Sequence, residues 1–273
     1  MCKLYGKEKA KEILSNALYE HSIYSYGSIF YHNTNVLLVG PTGCGKTFVI
    51  NNFLKTANLP YSICDLKKVN SESILNDIFK TLYLNSNKNL NSNKNLDIAE
   101  KGIVVLENID CFKDYKLLIK LLSGTTVKIK ISKFKKININ THNILFIATA
   151  NFNNKIIKEN KCEIYNIPFY DLDSLLDAGM DRDLIDYFFH FVFMDHHTKL
   201  QLYRIAEEYI NKNKYPNLSF TMDAINEIII QDICDNLDAN GIFITIDNIV
   251  NNFSKNDEYT VITKDLVKKI LKA

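Results

Sequence analysis

NVLLVGPTGCGKT, residues 35–47, decides how the rest of the chain is read. Its first part, NVLLV at 35–39, is a short apolar run of the kind that forms a buried parallel strand. Its second part, GPTGCGKT at 40–47, meets the pattern G-x-x-x-x-G-K-[ST] at every fixed position. A strand before it and a helix after it, predicted to run to about Phe53, give the pattern the setting that makes it a phosphate-binding loop. Gly40, Gly43 and Gly45 let the backbone curl so that its N–H groups point inward at phosphate oxygens, with Pro41, Thr42 and Cys44 completing the cradle. Cys44 is read as a small residue at a permissive position. The helix N-terminus adds a favourable potential for an anion. Lys46 is expected to reach the β- and γ-phosphates of ATP, and Thr47 to ligate Mg²⁺ through its hydroxyl.

Working outward, residues 7–20 space Ala10, Ile13, Leu14, Ala17 and Leu18 as a helix does. Residues 60–64, 102–106, 143–148 and 188–194 read as strands, and 73–84 and 115–122 as helices. From 195 on the pattern is helical, over 196–212, 221–236 and 245–253, ending in a short strand and a last helix with Thr263 as its N-cap. Strands alternating with helices, followed by helices, predict an α/β nucleotide domain over 1–194, with a mainly parallel sheet, and a small α-helical domain over 195–273. The segment NSNKNLNSNKNL, 85–96, is one hexapeptide duplicated, and its polar composition predicts a solvated, mobile loop.

The bulk composition narrows the class. The chain has 273 residues, 47% of them hydrophobic, and a formal net charge of +2. That balance fits a globular domain with a real core and argues against a dedicated nucleic-acid binder. No apolar run approaches the roughly 18 to 20 residues needed to span a membrane, and the charged start MCKLYGKEKAKEIL lacks an apolar signal core. The expected location is the cytoplasm or an organelle interior. Six cysteines, at 2, 44, 64, 111, 162 and 234, are too scattered for a metal cluster and read as reduced thiols.

With these pieces in place the chain resembles the AAA+ ATPases, of the ClpX and HslU unfoldase type. NVLLVGPTGCGKT matches the Walker A region, and LYGKEKAKEILSNALYEH at 4–21 is similar to the family's leading helix. GIVVLENID at 102–110 sits where the Walker B strand belongs, and ILFIATANF at 144–152 resembles the sensor 1 strand. GMDRDLIDYF at 179–188 resembles the arginine-finger segment; LSFTMDAINEI and EYTVITKDLV resemble the small lid domain. The resemblance implies a three-layer nucleotide domain with a helical lid, ATP with Mg²⁺ as ligand, and assembly into a homo- or hetero-oligomeric ring. It places Tyr5 and Gly6 near the adenine, Glu107 at the metal, and Asn151 at sensor 1, against the γ-phosphate or the attacking water.

The same comparison shows where the pattern breaks. The Asp-Glu pair of Walker B is Glu107-Asn108 here. Glu107 can still help hold Mg²⁺, but the amide of Asn108 cannot take a proton, and a positioned base contributes about 10² to 10⁴ in rate. Asp110 is the nearest substitute, two residues on. The arginine-finger position is Tyr187, with Arg182 more than a helical turn away, and a finger supplies roughly 10³ to 10⁵ in rate. The sensor 2 arginine should fall near 240–243, yet no arginine follows Arg204. The pore-loop region 66–77, LKKVNSESILND, has neither an aromatic residue nor a glycine. His196-His197 reads as a polar helix start rather than a site. VKIKISKFKKININ at 127–140 predicts a hairpin that clusters Lys128, Lys130, Lys133, Lys135 and Lys136.

Three functions therefore stand at this point. The first is an ATP-binding ClpX-like protein with weak or absent hydrolysis, acting as a nucleotide-switched subunit. The second is an active AAA+ ATPase that remodels proteins. The third is a nucleic-acid-associated ATPase with the lysine hairpin as its contact. The missing catalytic residues favour the first over the second, and the near-neutral charge disfavours the third.

Overall fold

The computed structural model describes residues 7–25, 34–68, 71–86, 92–151, 172–177, 179–213, 215, 217–235, 238–253 and 259–271. In chain order the first elements are α1 (Glu8–Ser25), β1 (Val36–Val39), α2 (Lys46–Ala57), β2 (Tyr61–Asp65), α3 (Ser71–Asn85), α4 (Ser92–Ala99), β3 (Ile103–Glu107) and α5 (Tyr115–Leu122). They continue with β4 (Thr126–Lys130), β5 (Lys136–Asn140), β6 (Leu145–Ala150) and β7 (His190–Phe193). Five strands form one parallel sheet in the order β2-β3-β6-β1-β7.

The continuous apolar runs mark the inner strands because both faces of the sheet are covered. Every residue of β1 and β6 is buried, as are the first four of β3. Leu37, Val39, Val104, Leu106, Phe146 and Ala148 belong to one core cluster, which also takes Ile74, Ile78, Phe79 and Leu82 of α3 and Leu118 and Leu121 of α5. The alternate residues Val36, Leu38, Ile103, Val105, Leu145 and Ile147 are equally buried and by strand alternation face the other side. The edge strands β2 and β7 carry mixed burial, as an edge requires. The register sets Val39 beside both Ala150 and Phe193, and Asp65 beside Glu107, so the carboxyl ends of the strands lie along one edge of the sheet.

The antiparallel pair β4–β5 is the expected lysine hairpin. At its tip Phe134 is 98% exposed. Not all of its lysines point to solvent alone: Lys135 Nζ donates to the Tyr83 hydroxyl at 3.3 Å and sits 5.5 Å from that ring's centroid.

The Asn-rich stretch departs from the expectation of a loop at its two ends, while residues 87–91 lie outside the described residues. Asn85 ends α3, and residues 92–96 open the helix α4. Ala99 is buried and Leu96 packs against the main core, while the buried Ser86 hydroxyl donates to the Asn95 carbonyl at 2.8 Å. These contacts tie the end of α3 to α4 although the sequence around them is mostly polar.

Residues Lys9–Gly40 and Lys46–Met194 form one compact unit; Met1–Glu8, Pro41–Gly45 and Asp195–Ala273 form the other. The second unit has its own core, with Leu202, Ala206, Ile228, Ile229, Ile242, Ile246, Ile249 and Val267 from the helices Lys199–Asn213, Met222–Asp235, Ala239–Phe253 and Lys264–Leu271. A short parallel pair, β8 (Leu218–Phe220) and β9 (Thr260–Ile262), completes it. The third of these helices begins six residues earlier than its pattern suggests, because Gly241, a poor helix former, is buried beside Ile242 and masks the stripe. Among the described residues no helix is long and apolar enough to cross a membrane.

Candidate functional site

The phosphate loop leaves the carboxyl end of β1, the position at which parallel α/β sheets receive ligands. Gly43 and Gly45 have φ of 89° and 95°, values that glycine alone adopts without strain. Gly40 N donates to Ala150 O at 3.3 Å, which ties the start of the loop to the end of β6. Lys46 is buried, and its Nζ donates to Gly40 O at 2.6 Å, so its ammonium is held at the mouth of the loop where phosphate charge is expected. The next residue, Thr47, donates from Oγ1 to Glu107 Oε1 at 2.8 Å. A hydroxyl and a carboxylate oxygen thus stand together, the hard-oxygen pair that suits Mg²⁺. The residues present fit ATP and Mg²⁺.

One residue on, the chemistry changes. Asn108 has φ 60° and ψ 48°, the left-handed region that Asn tolerates better than most residues. Its N–H donates to Thr149 Oγ1 at 3.1 Å. Its Nδ2 donates to Asp65 Oδ1 at 2.7 Å, and its Oδ1 accepts from Asn151 Nδ2. The orientation of the amide follows from Asp65, whose carboxylate only accepts. Asp110 does not face the same point: its Oδ1 accepts from Asn151 N at 3.0 Å. The ends of β2, β3 and β6 are therefore laced together through Asp65, Asn108 and Asn151, and the only carboxylate touching Asn108 among the described residues comes from β2. Burial would raise the Asp65 carboxyl, but hydrogen bonds from Lys68, Asn108 and the Lys67 N–H outweigh it and hold the group below its ordinary value.

The other expected positions fall as follows. Glu107 joins Thr47, and Asn151 joins Asn108; Tyr5 and Gly6 lie outside the described residues. Tyr187 packs against the main core, and its carbonyl accepts from Asn35 Nδ2 at 3.1 Å. Arg182 opens the short helix Arg182–Ile185, N-capped by Asp181. In the 240–243 stretch Ile242 belongs to the core of the C-terminal unit and Phe243 packs on Tyr209 at 4.5 Å between centroids.

Two features escaped the sequence. Asp65 lies one residue beyond the strand expected at 60–64, and only the register between β2 and β3 brings it to Asn108. His196 and His197, read as a helix start, both bind Asp238, with Nδ1–carboxylate distances of 3.0 and 2.6 Å. Burial would raise the Asp238 carboxyl, but the hydrogen bonds from His196 and His197 and the charge of His197 prevail and hold it far below its ordinary value.

Comparison with known proteins agrees with this architecture. The family AAA domain (Cdc48 subfamily) matches residues 32–211. Over 97% of its length the chain is 25% identical to the ATP-dependent Clp protease ATP-binding subunit ClpX of Borrelia duttonii (strain Ly), covering 75% of that protein. The ClpX subunit of Borrelia recurrentis (strain A1) matches to the same extent, at 25% identity with the same coverage.

Proposed function

The chain belongs to the AAA domain family (Cdc48 subfamily), and from that premise we propose that it is a ClpX-like protein that binds ATP with Mg²⁺, hydrolyses it slowly or not at all, and serves as a nucleotide-switched subunit of an oligomeric ring. Residues 1–194 act as its nucleotide domain and 195–273 as its lid, in the cytoplasm or an organelle interior. Mg²⁺, when bound, would supply neutralisation of the phosphate charge. Lys46 and the loop N–H groups hold the phosphates, while Thr47 and Glu107 hold the metal. The observation that carries the proposal is the state of Asn108. It stands one residue beyond the metal carboxylate, has no proton-accepting group of the needed basicity, and spends its amide on Asp65 and Asn151. A base lost at this point costs about 10² to 10⁴ in rate.

A second reading, an active ATPase, is favoured by one observation: Asp65 places a carboxylate 2.7 Å from the Asn108 amide nitrogen. A carboxylate relocated from β3 to β2 is a candidate base. The two readings part in a single experiment. ATP binding and phosphate release are measured on the same purified chain, with Lys46→Ala as the control. Binding with release no faster than Lys46→Ala supports the nucleotide-held subunit. Release well above that control overturns it, and loss of the excess in Asp65→Asn assigns the base to β2.

A further inference from the structure

Residues Pro41–Gly45 of the phosphate loop fall in the same compact unit as Asp195–Ala273. Within that unit the imidazole of His197 lies on Gly45. A Cβ built on Gly45 would sit 3.7 Å from His197 Cε1 and 3.9 Å from Nε2. The ring is fixed from behind. Asp238 Oδ1 accepts from His197 Nδ1 at 2.6 Å and from Ala239 N at 2.8 Å; Oδ2 accepts from His196 Nδ1 at 3.0 Å and from His197 N at 3.2 Å. The side chain of Asp238 is 1% exposed and that of His197 6%. Lys7 is buried nearby, donating from Nζ to Asp195 O at 2.7 Å, and its ammonium senses Cys44, Asp238, Asp195 and Glu8. Two imidazoles and one ammonium thus gather about one buried carboxylate, beside a stretch of backbone whose positive-φ glycines form an anion cradle.

The hydrogen bonds fix what His197 can do. An ionised carboxylate only accepts, so Nδ1 of each histidine carries hydrogen. In the neutral ring of His197, Nε2 then bears a lone pair on the edge turned toward Gly45. Protonation converts that same edge into a charged donor. A lone pair repels a phosphate oxygen, and a charged N–H binds it. We propose that His197, oriented by Asp238, is a nucleotide-binding residue whose imidazolium Nε2–H contacts the phosphates held by the loop, so that nucleotide binds more tightly when the ring is protonated. His196 and Asp238 are positioning residues for that ring, and Lys7 adds positive potential. The proposal rests on the reading of the chain as a nucleotide binder.

The test is equilibrium binding of Mg²⁺·ADP to the full chain between pH 5.5 and 8.5, for the wild type and His197→Gln, followed with and without nucleotide by the NMR titration of the His197 ring. Wild-type affinity should rise about tenfold as pH is lowered, the range of a hydrogen bond to a charged group. His197→Gln should lose most of that slope; protonation of the nucleotide itself is common to both proteins and cancels. In the wild type, nucleotide should move the ring's titration to higher pH, a readout that needs no variant to fold. Equal slopes in the two proteins, or a ring titration unmoved by bound nucleotide, overturns the role of His197 while leaving the binding reading intact. No binding by the wild type at any pH overturns both.

Discussion

Two corners of the same sheet edge can be set side by side. At the end of β1, Lys46 and Thr47 present a buried ammonium and a hydroxyl whose hydrogen bonds, to Gly40 O and Glu107 Oε1, are of the kind a phosphate and a Mg²⁺ ion replace. At the ends of β2, β3 and β6, Asn108 has its backbone N–H, its amide nitrogen and its amide oxygen committed to Thr149, Asp65 and Asn151. In the proposed function the first corner exchanges protein partners for ligand. The second is arranged to stay as it is. Glu107 and Asn108 are adjacent in the chain, so the difference between them is chemical and not architectural: the fold delivers both side chains to the strand ends.

The largest expected effect breaks the first corner. Lys46→Ala removes the ammonium from the loop and should weaken Mg²⁺·ATP binding on the order of 100-fold, the upper range for a charge-assisted contact. A loss of less than threefold by calorimetry would mean that the loop is not the nucleotide site. The next effect breaks the second corner. In Asn108→Glu a residue with no liking for φ 60° replaces Asn, and a carboxylate meets Asp65. The strain alone is about 1–2 kcal/mol, so the variant should unfold at lower denaturant and gain no turnover. Asp65→Asn in the same chain removes the clash and should recover part of the loss. If the single variant is as stable as the wild type, the lacing of the three strand ends contributes nothing. The wild-type bond is also pH-sensitive. Asp65 has a depressed native pKa, so its contribution is present above about pH 4 and fades as pH falls further.

Between these lies Glu107→Gln, which keeps the shape of the pair with Thr47 and removes its charge. Nucleotide affinity should lose about tenfold of its Mg²⁺ enhancement while metal-free binding holds. An undiminished Mg²⁺ effect would move the metal away from Glu107.

How far these corners were legible depends on distance along the chain. The phosphate loop is eight consecutive residues between a strand and a helix, so its chemistry is local and readable. The inner strands β1, β3 and β6 were readable for a similar reason: sealed on both faces, they are runs of apolar residues. Glu107, Asn108 and Asn151 were found at strand ends, but what Asn108 does was not, because Asp65 lies 43 residues away and arrives only through the register of β2 on β3. His197 and Asp238 are 41 residues apart, and neither carries a local signal. The ends of the duplicated Asn-rich segment misled in the opposite sense, since composition speaks of the chain in water and Ser86 and Asn95 are buried.

The smallest effect sharpens the comparison by reading charge at the second corner. Cys64 precedes Asp65 on β2, and its thiol is pushed up to about 11, by burial first and then by the negative charges of Asp65, Asp77 and Glu107. At pH 8 only about one thiol in a thousand is then ionised, so alkylation of Cys64 should be slow. Asp65→Asn removes one of those charges without touching burial, and should speed the reaction a few-fold when the modified peptide is followed by mass spectrometry. Because burial is the larger cause, the increase has to stay small. A rise of a hundredfold would show that the substitution has opened the end of β2, and that Asp65 holds the corner together by packing and hydrogen bonding more than it charges it. No rise at all would place the Asp65 carboxylate in solvent, away from Asn108, and would leave that amide free to turn toward the nucleotide.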